Sequence, residues 1–177
     1  VENASGPGVV TLHPEDLTPK LEVLANGAVL ADGAFFTTAL VALEVHVRGA
    51  TIPSTSVFRG GTLMLLSGNP DVAATVTEEG DYRVEVSALR GSVRQIVSRE
   101  FTLDRTPPAL AVTANGAPFA ESDRYAPPVT VEFAASDAHP GPVIATLDGS
   151  PFVSGGVVSA AGSRALVVSA QDLAGNL

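Results

Sequence analysis

The sequence predicts an all-β chain of two tandem sandwiches, the second short of its last strand. Three observations predict it: short runs in which apolar and polar residues alternate, Gly- and Pro-containing turns between those runs, and an internal repeat. The 177 residues include 17 Gly and 13 Pro, residues that interrupt helices and supply turn geometry. Hydrophobic residues make up 45% of the chain, enough to bury a core and too many for a disordered segment.

The repeat sets the domain organisation. Leu21-Glu22-Val23-Leu24-Ala25-Asn26-Gly27-Ala28 returns as Leu110-Ala111-Val112-Thr113-Ala114-Asn115-Gly116-Ala117. Leu43-Glu44-Val45 returns as Val131-Glu132-Phe133, and the turn at Gly60-Gly61 as Asp148-Gly149. Gly80-Asp81-Tyr82-Arg83-Val84-Glu85-Val86-Ser87-Ala88 returns as Gly162-Ser163-Arg164-Ala165-Leu166-Val167-Val168-Ser169-Ala170. Four blocks in one order divide the chain into a tail or linker over residues 1–18, a first domain over 19–105 and a second over 106–177. Between the copies lies Asp104-Arg105-Thr106-Pro107-Pro108. Its Pro-Pro step lacks two amide donors and favours an extended, semi-rigid backbone.

Within each copy the alternation assigns faces. Leu43, Val45 and Val47 are expected in a core, with Glu44 and His46 in solvent, because successive strand residues point to opposite faces. Val129, Val131 and Phe133 face inward by the same rule, and Thr130 and Glu132 outward. Tyr82, Val84, Val86 and Ala88 form one inward row, and Arg164, Leu166, Val168 and Ala170 its counterpart. Asp148-Gly149, Gly60-Gly61 and Asn26-Gly27 are tight-turn sequences, because a type I′ turn needs positive φ at both central residues. Asp32-Gly33 is a further turn candidate. Phe35-Phe36 are neighbours on opposite faces, so one ring is expected to be exposed.

Three of these segments carry a family resemblance. Asp104-Arg105-Thr106-Pro107-Pro108, Leu147-Asp148-Gly149-Ser150-Pro151 and Ala170-Gln171-Asp172-Leu173-Ala174-Gly175-Asn176 resemble the linker, mid-domain hairpin and penultimate turn of bacterial Ig-like repeat domains. The resemblance covers nearly the whole chain after about residue 18. It implies two immunoglobulin-like β-sandwiches from a secreted or cell-surface protein. Copy one departs from it: Ala88-Leu89-Arg90-Gly91 lacks the Asp and Asn of the turn. Gly80-Asp81-Tyr82 also resembles a tyrosine corner, in which a strand Tyr bonds back to upstream backbone; copy two has Arg164 there.

Copy one runs on from its turn through Val93 to Leu103, and copy two ends at Leu177, the counterpart of Gln95. Val9-Val10-Thr11-Leu12, followed by Thr18-Pro19, resembles Phe101-Thr102-Leu103 followed by Thr106-Pro107. Residues 9–12 are therefore a candidate donor strand for another molecule's second domain. A fragment of a longer array has the same appearance.

The chemistry expected is sparse. A formal net charge of −9 argues against nucleic acid and against an anionic membrane surface, both of which select basic patches. The first eight residues lack the basic and apolar regions of a signal peptide, and no apolar run is long enough to span a membrane. The absence of Cys excludes disulfides and thiolate metal sites. No catalytic residue and no cofactor is predicted. His13, His46 and His139 are placed in a linker, on a solvent face and in a Pro/Gly loop. Calcium is the one metal considered, through Asp104, Glu121, Asp123, Asp137 and Asp172, which read as solvated loop residues. The expected role is a non-catalytic structural or adhesive spacer at the cell surface, partnered by other domains of its own protein or by another copy of itself. The alternatives are a fibre subunit that polymerises by strand donation and a polysaccharide-binding accessory module of a secreted enzyme.

Overall fold

The computed structural model describes residues 18–120 and 123–177; the candidate donor strand at residues 9–12, His13 and Glu121 lie outside them. The described residues are strands and turns without a helix, so no helix is long and apolar enough to cross a membrane. They form two compact units. One comprises residues 18–34 with Leu40–Thr102, and the other Phe35–Ala39 with Leu103–Leu177. The second unit thus takes up the chain at Leu103 and also takes a short segment, Phe35–Ala39, from within copy one.

The first copy contributes β1 (Lys20–Ala25), β2 (Ala28–Val29), β3 (Ala34–Phe36), β4 (Val41–Arg48), β5 (Ile52–Arg59), β6 (Thr62–Ser67), β7 (Asp71–Val76), β8 (Gly80–Arg90) and β9 (Val93–Leu103). One sheet runs β2-β1-β4-β7 and the other β3-β9-β8-β5-β6. Alternation sets their facing sides. Val41, Leu43, Val45 and Val47 of β4 are buried with half-exposed residues between them, and β8 buries Tyr82, Val84, Val86 and Ala88 in the same way. Each sheet hides one apolar face on the other, as two-layer β domains require. Tyr82 confirms the corner: its Oη donates to the Glu78 carbonyl at 2.6 Å, and its ring stacks on Phe101 with centroids 5.0 Å apart.

The second copy contributes β10 (Ala109–Ala114), β11 (Ala117–Pro118), β12 (Val129–Ser136), β13 (Pro140–Leu147), β14 (Ser150–Pro151), β15 (Gly156–Val158) and β16 (Leu166–Asp172). Its sheets run β11-β10-β12-β15 and β14-β13-β16. Seven strands of the first copy recur in the second in the same order, and β3 and β9 have no counterpart among its described strands. The hairpins recur too. Asn26-Gly27 and Asn115-Gly116 share φ values of 51° and 78°, and Asp148-Gly149 has 51° and 80°, the left-handed pair a type I′ turn demands.

Ala114, Val129 and Val131 form the buried centre of the second unit, with Val112, Tyr125, Phe152, Val158 and Leu166 packed around it. The expected inward row on β16 is corrected in part. Ala170 is buried and Leu166 and Val168 are half-buried, but Arg164 precedes the strand, is exposed and pairs with Asp148 at 2.9 Å. A guanidinium reaches solvent and a carboxylate more readily than it enters an apolar layer.

Val84 of β8 is fully buried and Val168 of β16 is half-buried, so equal truncations are predicted to cost unequal amounts. Val84→Ala should destabilise the first unit by about 2 kcal/mol. Val168→Ala should destabilise the second by clearly less than that. Urea unfolding of the two variants checks the order.

Candidate functional site

The site is built where the second unit begins, where β12 passes to β13, and where β16 ends. Asp104 follows β9, and its amide donates to the Phe36 carbonyl at 2.9 Å. One carboxylate oxygen accepts the Thr106 amide at 3.1 Å, a local turn that Asp forms readily. The other lies 3.0 Å from His139 Nδ1. Asp137 closes a second turn of this kind: its carboxylate accepts the His139 amide at 2.7 Å. The imidazole is thus flanked by two carboxylates. Its ring also meets Phe35 edge-on, with centroids 5.6 Å apart.

β16 brings in the remaining groups. Asp172 is 4% exposed. It accepts the Asn176 amide at 2.8 Å and the Asn176 side-chain Nδ2 at 2.7 Å. The same Nδ2 donates to the Asp104 carbonyl at 3.1 Å. Asn176 therefore ties the turn after β16 to the segment that enters the unit. Gly141 makes room for this assembly: a Cβ there would lie 2.3 Å from the Gln171 carbonyl oxygen, so only glycine admits the close approach of the β13 end to β16. Burial raises the pKa of Asp172, but hydrogen bonds from the Asn176 side chain and from the Asn176, Gly175 and Ala174 amides outweigh it and leave the carboxyl below its ordinary value.

Several expectations are corrected here. Asp104 and Asp172 are buried and hydrogen-bonded, not solvated loop residues. His139 is half-buried between carboxylates instead of standing free in a loop. Phe35 and Phe36 are both half-buried, so neither presents an open ring. Of the five carboxylates considered for calcium, the structure brings together Asp104 and Asp137, and adds His139; one ligand atom from each lies within 4.8 Å of the others. Two carboxylates and an imidazole are a donor set suited to zinc or manganese, and they fall short of the six to eight oxygens of calcium. Asp123 stands apart, accepting from Tyr125 Oη at 3.1 Å. His46 lies on the sheet face of the first unit, directly across from Asp71. Its Nδ1 is 2.8 Å from the Asp71 carboxylate, which Arg48 also reaches at 2.6 Å. The hydrogen bonds from His46 and then Arg48 hold Asp71 below its ordinary pKa.

No family model matches the chain, and no curated protein does. Among solved structures it is similar to fibronectin(III)-like modules of Clostridium thermocellum CbhA, at 16% identity and a TM-score of 0.35 over 87% of each chain. It is also similar to an engineered protein, at 20% identity and a TM-score of 0.33, over 48% of this chain and 20% of that one.

The lowered pKa of Asp172 fixes the sign of a pH effect. A carboxylate whose folded pKa lies below its unfolded one stabilises fully above the unfolded value and loses that contribution as pH falls through the folded one. The second unit should therefore lose stability on acidification between about pH 5 and pH 2. Asp172→Asn should be less stable at neutral pH and show a flatter decline. Thermal melts across that range check it; parallel slopes for the two proteins would count against the assignment.

Proposed function

We propose that the chain is a pair of non-catalytic structural modules, a spacer within a bacterial surface or secreted protein. The observation that carries this reading is the bonding of Asn176 to both Asp104 and Asp172. These residues belong to the linker-like and turn-like motifs, and their polar atoms serve to hold the unit's entering segment against its last turn. His139 and Asp137 extend the same assembly. Polar groups spent in this way orient backbone, the task of a module that must keep its connections in place.

Composition supports the same reading. A net charge of −9 favours solubility and disfavours nucleic acid and anionic lipid. A chain without Cys keeps its sandwiches closed by packing and hydrogen bonds, with no dependence on a redox compartment.

The rival reading is a polysaccharide-binding module. Sedimentation with insoluble cellulose, chitin and xylan separates the two. The spacer reading expects the protein to remain in the supernatant with each. Retention on one of them, reversed by the soluble oligosaccharide, would replace the spacer with a binding module.

A further inference from the structure

The turn between β12 and β13 is Asp137-Ala138-His139, and the turn at the same place in the first copy, between β4 and β5, is Gly49-Ala50-Thr51. Both turns join strands of 8 residues. The first copy makes its connection with neither a carboxylate nor an imidazole, so the geometry of the turn does not call for Asp137 and His139. Their side chains converge on Asp104: one ligand atom from each of the three lies within 4.8 Å of the others.

The three donors are held in place by the fold. The Asp104 amide donates to the Phe36 carbonyl at 2.9 Å, and the Asp104 carbonyl accepts from Asn176 Nδ2 at 3.1 Å. One oxygen of each carboxylate is anchored to backbone. Oδ1 of Asp104 accepts the Thr106 amide at 3.1 Å, and Oδ1 of Asp137 accepts the His139 amide at 2.7 Å. Oδ2 of Asp104 lies 3.0 Å from His139 Nδ1. Neighbouring ligands of a tetrahedral zinc ion stand about 3.3 Å apart, given bonds of about 2.0 Å. The edge contact with Phe35 limits rotation of the imidazole. The Asp104 side chain is buried and that of His139 half-buried, so the cluster has protein behind it and solvent in front.

We infer that Asp104, Asp137 and His139 bind a divalent transition-metal ion of the zinc type. Donor chemistry selects the ion. Imidazole nitrogen suits zinc and its neighbours in the transition series, whereas calcium and magnesium take oxygen ligands. Two carboxylates match the two charges of the ion, so it can sit beside the buried Asp104 without leaving an unpaired charge. Three protein donors leave one position of a tetrahedron, which water reaches from the open side. His139 and Asp104 are 35 residues apart, so the ion ties the segment entering the second unit to the β12–β13 turn. Such a tie is compatible with a spacer and with a binding module alike, and retention on polysaccharide decides between those two separately.

Isothermal titration of the whole chain with zinc chloride, after dialysis against a chelator, tests the site beside His139→Gln, Asp137→Asn and His46→Ala variants. His139→Gln and Asp137→Asn should each weaken zinc binding by more than about tenfold. Asn keeps a side-chain oxygen for the turn, both replaced side chains are half-buried, and circular dichroism confirms that the variants fold. His46→Ala removes the imidazole beside Asp71 on the first unit and should leave the tight binding unchanged. Cobalt(II) in place of zinc should give visible absorption bands that His139→Gln abolishes, a signature of ligation that a change in stability alone would not produce. Calcium chloride should bind more weakly than zinc. Absence of zinc binding, zinc affinity unchanged by His139→Gln, or calcium bound as tightly as zinc would overturn the inference.

Discussion

Burying the row Tyr82, Val84, Val86 and Ala88 on β8 is the condition on which the rest of the first unit depends. A strand puts every second side chain on one face, so this row and the row Val41 to Val47 on β4 must cover each other or meet water. Turn chemistry, strand order and the pairing of β5 with β8 all serve that end. The cost of failure is set by area: each large aliphatic side chain left uncovered forfeits roughly 1.5–3 kcal/mol, a sizeable part of the few kcal/mol by which a small domain is stable. The second unit works under the same condition, with Leu166 and Val168 of β16 half-buried.

Much of this was legible in the sequence because it is local. The alternation in Leu43-Glu44-Val45-His46-Val47 sets faces without reference to any other strand. Asn-Gly and Asp-Gly pairs specify their turns through φ alone, and the structure gives Asn26, Asn115 and Asp148 the same positive value. The tyrosine corner also joins residues only four apart, Glu78 and Tyr82.

What escaped the sequence is non-local. Asn176 and Asp104 are 72 residues apart, and nothing in either motif says that they bond. The burial of Asp104 follows from that contact and from His139, so a carboxylate that reads as a solvated linker residue becomes part of the interior. Arg164 was misplaced for a related reason: the repeat aligns it with Tyr82, but the nearby Asp148 carboxylate offers its guanidinium a partner outside the core. Homologous position is a weaker constraint than charge. The Asp104–Asp137–His139 grouping combines both kinds of information. Asp137 closes a local turn onto the His139 amide, which the spacing Asp-Ala-His allows, while the meeting of that turn with Asp104 depends on the fold. Function follows the same division, since the motif residues that look chemically active are occupied in joining distant segments of one unit.

Hydrogen exchange at β8 and β16, on dilute protein, tests most directly the claim that the two copies share a seven-strand plan to which the first adds β3 and β9. β8 is flanked by β9 and β5, so its amides should be protected along the strand. Among the described residues β16 pairs with β13 alone, so every second amide should be protected and those between should exchange fast. Uniform protection along β16 in the dilute monomer would show that its edge is covered from within the chain, and would contradict the account.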